Sequence, residues 1–591
     1  MSNLKRKNIF IYIGFTLAFL IGSCSFQIPD FSEPKMPAKF FKTNPYLENE
    51  GKYVTSKGEL KTLFIYVIFK DDTSNDNNVW NYSETELPFW SERIINKTTE
   101  LNFPDNNLTQ YFYEMSRGNL MLYGDVYPEV VVPKKNQDQY KSIAEVNYEI
   151  LTSLDEKINF AQYDNWSKNK DGKYINTPDG QVDVIYIAYR HFENRLFFNN
   201  GWTGSAHLYL TKNIETNDGV TIAKGRLDQG SGIQSRGGKN GYTFLKYVLA
   251  HEFGHLLFGA GHIENVTNLA LMTGGPVWNA SRGMHSWERN KLGWINFKDI
   301  PLDKNTSLVL DDYHVSGNAY RIKLSEKEWY ILENHQKISE HDWARDKGVY
   351  IYHVKNANKF SPYITVKCAD GNWDFAIREE DKKLYKTFPN PLGKTEMNFR
   401  KVINKKSYSC FDQVYEDNSA WGDKFDAYDI SYNNLFSPMS NPSSANGKKV
   451  NFSIQIKERK GDKYLAEVNF GDIYKLTPPS KPQVIGVEFK KSSGYLLQWL
   501  PNSEPDFEKY ALFYSHNKNE RIKKYKELSD IGNKNQVNFS ISPLLVNKSK
   551  NISIALQAVD SSGKKSVYSD FIELFYNSSD KKWVWKRIEE Y

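Results

Sequence analysis

The chain has 591 residues, too many for one hydrophobic core, and a prior of about 150 residues per domain predicts three or four domains. Hydrophobic residues make up 40%, aromatic residues 15% and charged residues 25%, a composition that builds cores and excludes wholesale disorder. The net charge of +6 is small for this length, and basic residues are interspersed with acidic ones. We therefore expect no nucleic-acid partner, and we expect a monomer.

The first 24 residues have the pattern of an export signal. Basic residues at positions 5–7 precede an apolar run over residues 9–21, shorter than the ~20 residues that span a bilayer comfortably. The run ends in Leu-Ile-Gly-Ser-Cys at residues 20–24, which resembles the bacterial lipoprotein cleavage box. This resemblance implies that Cys24 is lipidated and anchors an exported protein to a membrane, at the cell surface or outer membrane. The alternative is a conventional signal peptide with an incidental cysteine.

The segments that follow predict an α/β domain. Residues 25–57 carry prolines among polar residues and are predicted to form a tether, with a propeptide as the alternative. An apolar run over residues 60–69 predicts a strand buried on both faces, within a domain that we place at residues 58–297. Residues 108–126 predict a helix, a stop at Gly118 and a strand. A second helix is predicted over 140–158 and a strand over 184–188.

An acidic stretch lies ahead of that last strand. Asp164, Asp171, Asp179 and Asp183 alternate with glycines, and several carboxylate oxygens in one loop suit calcium. The spacing is not that of an EF-hand, and acidic turns are usually just solvated. Calcium is therefore one possible ligand of this loop, and a solvated turn is the other interpretation.

The residues that carry chemistry lie in a helix predicted from Thr243 onward, with Thr243 as N-cap. His251 and His255 are four residues apart and so about 40° apart around the helix axis, which points both imidazoles at one place. Glu252 lies about 100° round from His251, close enough to reach a water on a metal without being a ligand. This is the His-Glu-x-x-His pattern of zinc hydrolases. The alternative is a half-exposed helix that carries two histidines.

A third zinc ligand is expected after the helix. Gly259 and Gly261 can turn the chain, and His262 follows that turn. In the longer zincin pattern the glycine and the third histidine would fall at residues 258 and 261, one residue earlier than here. An added residue can be absorbed as a bulge or a longer turn, so His262 is the first choice. The other candidates are Glu264, His285 and Glu288.

Two later segments resemble the secreted immune inhibitor A-type zinc metallopeptidases. Residues 269–275 match the family's methionine turn, with Met272 as the turn methionine, whereas the alternative is an ordinary core methionine. Residues 286–294 match its Ala-Trp-x-Lys-x-x-Leu-Gly-Trp helix at Trp287 and at residues 292–294, with Ser286 where alanine is usual. Residues 329–336 and 348–354 extend the resemblance, with His335 where the family has arginine. The family also carries a similar Asp-rich loop.

Beyond Trp294 the pattern changes to short strands, which predicts a β-rich domain at residues 298–475. A Pro-rich boundary follows, and alternating strands over residues 478–577 look like a fibronectin type III domain. Residues 578–591 are left as a C-terminal tail.

Cys368 and Cys410 remain once Cys24 is assigned to lipid, and they form either a disulfide or two buried thiols.

Together these features predict a multidomain protein, with an α/β zincin-like catalytic domain followed by a β-rich domain and an all-β fibronectin type III-like sandwich. The expected function is that of an exported zinc metalloendopeptidase acting on protein or peptide substrates. In it, His251, His255 and His262 hold zinc and Glu252 is the general base. The alternative is a catalytically inactive zincin-fold surface protein for binding or adhesion, which the displaced third histidine favours.

Overall fold

A computed structural model of the chain describes residues 51–587 apart from 74–79, 81–85, 102–105, 198–202, 226–229, 264–265, 267–268, 274–282, 360, 378–383, 391–392, 396, 398–399, 404, 410–421, 446–449, 491–493, 516–525, 531–537, 542–550 and 580–581. The predicted signal peptide with Cys24, most of the predicted tether, Glu264 and Cys410 lie outside these residues. Of the helices within the described ranges, none is long and apolar enough to cross a membrane. The described part of the protein is multidomain and rich in β structure.

The first region combines helices with one main sheet. Its strands are β1 (Gly58–Val67), β2 (Leu120–Val126), β3 (Ser167–Lys168), β4 (Tyr174–Ile175), β5 (Ile185–Tyr189), β6 (Gly204–Ser205), β7 (Ile214–Glu215), β8 (Thr221–Ile222) and β9 (Gly232–Ser235). Its helices are α1 (Leu108–Ser116), α2 (Ile143–Leu154), α3 (Tyr242–Phe258) and α4 (Ser286–Lys291). Single 3₁₀ turns occur at Ser91–Arg93, Gln137–Gln139, Phe160–Tyr163, Asn194–Phe197 and Gly238–Asn240.

The main sheet has the strand order β2-β1-β5-β9-β6. Neighbouring strands are parallel except β6, which runs antiparallel to β9 at one edge. β1 is buried on both faces because alternate residues enter two different cores. Phe64 and Tyr66 pack with residues of α1 and α3, whereas Ile65 and Val67 pack with residues of α2. A strand covered on both faces explains the near-continuous apolar run.

The central helix α3 is buried along almost its whole length. It begins at Tyr242 with Gly241 as N-cap, so the prediction of Thr243 as N-cap is wrong. The reason is the 3₁₀ turn just ahead of the helix, after which Gly241 adopts φ 90°, a conformation that favours glycine. The helix ends at Phe258, where Gly259 at φ 93° turns the chain out of the axis.

The second region is built from strands with two short helices, α5 (Tyr313–Ser316) and α6 (Ile473–Leu476). The strands are β10 (Lys298–Asp299), β11 (Thr306–Leu310), β12 (Ala319–Ser325), β13 (Glu328–His335), β14 (Gly348–Lys355), β15 (Tyr363–Val366), β16 (Trp373–Ile377), β17 (Leu384–Pro389), β18 (Arg400–Ile403), β19 (Lys406–Ser409), β20 (Leu435–Phe436), β21 (Phe452–Lys460) and β22 (Lys463–Phe470). They form sheets of order β10-β12-β13-β14-β15 and β11-β22-β21-β20, with hairpins β16-β17 and β18-β19.

The sheet that contains β14 is shared between two cores. Val349 and Ile351 face the second region's own core, against residues of β21 and β22. Tyr350 and Tyr352 point the other way and join the large core that contains α3. Because side chains alternate along a strand, one sheet supports both regions, and the first region is packed against the second through buried side chains.

The third region is a two-sheet sandwich. Its strands are β23 (Gln483–Lys490), β24 (Gly494–Leu500), β25 (Phe507–Ser515), β26 (Lys526–Asp530), β27 (Asn538–Ile541), β28 (Ile552–Asp560), β29 (Ile572–Asn577) and β30 (Lys582–Arg587). The sheets have the orders β23-β24-β27 and β26-β25-β28-β29-β30, and Trp499, Tyr510 and Leu556 lie in their common core. β30 falls in the segment that was expected to be a tail, and it pairs with β29 from Ile572 to Asn577.

Candidate metal centre

Three histidines converge at the C-terminal end of α3. The ring centroids of His251 and His255, one helical turn apart, are separated by 4.9 Å. The His262 ring lies 5.3 Å from that of His251 and 4.9 Å from that of His255. One nitrogen from each ring lies within 4.8 Å of the other two, and Nε2 of His262 is 3.3 Å from Nε2 of His251. The structure thus brings together all three predicted zinc ligands.

Backbone carbonyls orient two of these rings. Nδ1 of His251 lies 2.8 Å from the carbonyl oxygen of Leu271, and Nδ1 of His255 lies 2.9 Å from that of Gly259. A carbonyl can only accept, so each Nδ1 carries the proton and each Nε2 keeps its lone pair. Burial also lowers the pKa of His255, which keeps that imidazole neutral. Neutral rings with inward lone pairs are what zinc requires, so the donor set fits zinc.

The extra residue relative to the zincin pattern is accommodated after the helix, not within it. α3 remains helical to Phe258, and the turn at Gly259 leads to His262. The next residue, Ile263, donates its N–H to the carbonyl of Met272 at 2.7 Å. That bond ties the His262 loop to the segment beneath the helix, so the longer turn still returns His262 to the other two histidines.

Met272 lies under α3 where the helix has a glycine. A Cβ added at Gly254 would meet the Met272 sulfur at 2.3 Å, so only glycine leaves room for it. Gly254 is between the two helical histidines in sequence, and Met272 is buried. Met272 therefore packs against the turn of α3 that carries His251 and His255, and its role as a turn methionine stays a prediction.

The Glu252 side chain extends from α3 to the edge strand β6. A Cβ added at Gly204 would meet Oε1 of Glu252 at 2.6 Å and Cγ1 of Val248 at 2.7 Å. Glu252 is 8% exposed, so it reaches solvent only narrowly. Sequence reasoning did not single out Gly204, because its contact with Glu252 depends on how the sheet edge lies along the helix.

The rival third ligands have other partners. The Glu288 carboxylate accepts hydrogen bonds from the backbone N–H groups of Met272 at 2.7 Å, His285 at 2.7 Å and Leu271 at 3.2 Å. Burial raises its pKa to about 7, although these N–H groups act in the opposite direction. Nδ1 of His285 accepts the N–H of Trp287 and caps α4. Neither residue belongs to the histidine group, and Glu264 is outside the described residues.

The four aspartates proposed for calcium do not form a ligand group. Asp164 accepts the N–H groups of Asp179 and Gly180, at 3.0 and 2.8 Å. Asp183 accepts the N–H groups of Asn165 and Trp166, and burial raises its pKa to about 7. Asp171 is exposed at a separate turn. Two of the carboxylates therefore close the loop itself, and calcium binding stays a prediction without geometric support.

A second cluster, which sequence reasoning missed, consists of His314, His335 and Asp342, and it is fully buried. Nδ1 of His335 lies 2.8 Å from Oδ1 of Asp342, and its Nε2 lies 3.0 Å from Oε2 of Glu333. Burial alone would lower the pKa of His335, but Asp342 and Glu333 outweigh it and raise the pKa to about 10.

An imidazole with a carboxylate on each nitrogen carries two protons and has no lone pair for a metal. We therefore interpret His335 as a buried cation and not as a ligand. One hint of this charge was present in the sequence, because His335 stands where the immune inhibitor A-type family, which this segment resembles, has an arginine. Cys368 is buried. Cys410 lies outside the described residues, so a disulfide between the two cysteines stays a prediction.

Comparison with known proteins leaves the family open. No family model matches the chain, and no curated protein matches it either. Among solved structures, the spore cortex lytic enzyme SleM of Clostridium perfringens is 18% identical over 23% of this chain, with a TM-score of 0.14. The match covers 37% of the length of SleM.

An Fn3-like protein from Clostridium thermocellum is 17% identical over 16% of this chain and 86% of its own, with a TM-score of 0.12. The FN1-FN3 domains of chicken CNTN1 are 10% identical over 46% of this chain and 98% of their own, with a TM-score of 0.14. Likenesses this weak carry no argument about function, so any functional proposal depends on the chain's own residues.

Proposed function

We propose that this chain is a zinc-dependent metalloendopeptidase that hydrolyses peptide bonds of proteins or peptides. The observation that carries the proposal is the convergence of three histidines, His251 and His255 on α3 and His262 in the loop after it. Glu252 lies on α3 beside His251. A purely structural zinc site needs four protein ligands and no adjacent base, whereas three histidines leave one position to water. The buried carboxylate next to this centre is the group that a hydrolase needs.

The roles of the residues follow from their positions. His251, His255 and His262 would bind zinc through imidazole nitrogens, and the carbonyls of Leu271 and Gly259 keep two of the rings in the required tautomer. Zinc held there would supply the acidification of a water and the polarisation of the scissile carbonyl. Glu252 would act as the general base that takes a proton from the attacking water and returns it to the leaving amine. Gly204 leaves room for the Glu252 side chain, which a Cβ at this position would displace.

The finer fold and the location are part of the same proposal. The mixed sheet with an antiparallel edge strand beside the histidine helix supports a zincin-like catalytic domain, and the two-sheet third region supports a fibronectin type III-like domain. We also infer that Cys24 carries a lipid anchor, which metabolic labelling with a fatty-acid analogue tests.

The alternative function is an inactive surface-binding protein. The displaced third histidine favoured this alternative in the sequence, but His262 nevertheless lies with the other two histidines.

The test uses the mature protein and Glu252→Gln. We expect about one zinc per chain in both proteins, because Glu252 is not a ligand. We expect the wild type to cleave an unfolded protein substrate in a chelator-sensitive way. The cleavage rate of the variant should be lower by about 10²–10⁴-fold, the usual contribution of a general base. Glu156→Gln makes the same chemical change at an exposed position and serves as the control. Full activity of Glu252→Gln would remove the proposed base, and a wild type without zinc or proteolysis would overturn the function.

A further inference from the structure

The carboxylate of Glu288 is fully buried in α4 and is surrounded by backbone N–H groups. Oε1 accepts the N–H of Met272, and Oε2 accepts those of His285 and Leu271. Taking a carboxylate out of water costs several kcal/mol, so an ion at this place needs all of these donors. Glu288 therefore holds residues 271–272 through their N–H groups.

Residues 271–272 in turn hold the histidine ligands. The peptide units of Leu271 and Met272 donate their N–H groups to Glu288, and their carbonyls accept on the other side. The Leu271 carbonyl accepts from Nδ1 of His251, and the Met272 carbonyl accepts the N–H of Ile263, which follows His262. Two of the three ligands are thus connected to Glu288 through two consecutive backbone residues.

We propose that Glu288 is a positioning residue for the zinc centre, which sets the orientation of His251 and the placement of His262 through residues 271–272. This inference rests on the proposed function, because it assumes that the three histidines hold zinc. It differs from a general packing role in what it predicts: a change at Glu288 alters the metal site by more than it alters stability. Outer partners of metal ligands commonly change metal affinity by about 10–100-fold.

The decisive variant is Glu288→Gln, which keeps the side-chain shape. Its single carbonyl oxygen cannot accept all three N–H groups, and its NH₂ must face at least one of them. We expect zinc affinity, measured by competition with a chelator at pH 8, to fall by about 10–100-fold. We also expect the visible spectrum of the cobalt-substituted protein to change, and kcat of the zinc-saturated enzyme to fall while KM stays constant.

Asp312→Asn is the matched control. Asp312 is also buried and accepts two backbone N–H groups, but these come from Val315 and Gln336 and not from residues 271–272. We expect it to lower thermal stability without changing zinc affinity or the cobalt spectrum. If Glu288→Gln does not fold, Glu288→Asp decides, because it keeps the charge and withdraws the carboxylate by one methylene.

The outcomes separate this inference from the proposed function. A folded Glu288 variant with wild-type zinc affinity and an unchanged cobalt spectrum would overturn the positioning role and leave the function intact. A wild type that binds no zinc at the three histidines would overturn both. Loss of zinc affinity in Asp312→Asn equal to that in Glu288→Gln would reduce the effect to general destabilisation and would also overturn the role.

Discussion

Two histidine clusters in this protein differ in the groups that touch the rings. In the candidate metal centre, Nδ1 of His251 and Nδ1 of His255 each face a neutral backbone carbonyl. In the second cluster, His335 lies between the carboxylates of Asp342 and Glu333. A carbonyl fixes one proton and leaves the other nitrogen with a lone pair, whereas two carboxylates fix two protons. Proximity of histidines is therefore not enough to identify a metal site, because the second contact of each ring decides its charge.

The largest expected effect concerns the ligands themselves. His262→Ala removes one of the three converging nitrogens, and we expect zinc affinity to fall by more than about 100-fold, beyond the effect of an outer partner. His314→Ala changes a histidine of the second cluster and should leave zinc affinity unchanged. Zinc competition with a chelator measures both. A His262→Ala protein that holds zinc as tightly as wild type would rule out His262 as third ligand.

The next effect concerns the buried cation. His335→Gln leaves Asp342 and Glu333 buried without their positive partner, and loss of one partner of a buried ion pair costs about 3–5 kcal/mol. We expect a lower unfolding midpoint in urea and unchanged zinc affinity. His335→Arg is the control because it keeps a positive charge at this place. If His335→Gln is as stable as wild type but loses a bound metal ion, the cluster is a metal site and our interpretation is wrong.

A smaller effect is the pH dependence that His335 confers. Its pKa is about 10 in the folded protein and about 6.5 in an unfolded chain, so its stabilisation is complete below about pH 6.5. It is lost progressively as the pH rises towards about 10, because over this range the unfolded chain has given up the imidazole proton while the folded protein still binds it. Between pH 7 and 10, the Tm of wild type should therefore fall more than that of His335→Arg, whose guanidinium stays charged. Parallel curves for the two proteins would contradict this.

The sequence was informative where function depends on local spacing. The four-residue interval between His251 and His255 predicts their convergence on a helix, and the glycine turn predicts where His262 goes. Contacts that depend on packing or on the path of an irregular loop could not be read in this way. Gly204 meets Glu252 because of sheet packing, and His335 meets Asp342, only seven residues on, because the loop after β13 folds back. The N-cap was misplaced because a threonine side chain is a common cap, whereas here a glycine backbone performs that role.

Strand pairing was similarly hidden at the end of the chain. Residues 582–587 have tryptophans at alternate positions, Trp583 and Trp585, but their role depends on β29, which offers an edge for them to pair with. This pairing has a consequence for anyone who shortens the protein or attaches a tag. β30 is the edge strand of its sheet and carries basic side chains such as the exposed Lys586, and a charged edge resists pairing with other chains. Removing residues 578–591 would make the more apolar β29 the edge instead, so we expect a shortened protein to aggregate more readily and advise placing a tag after residue 591.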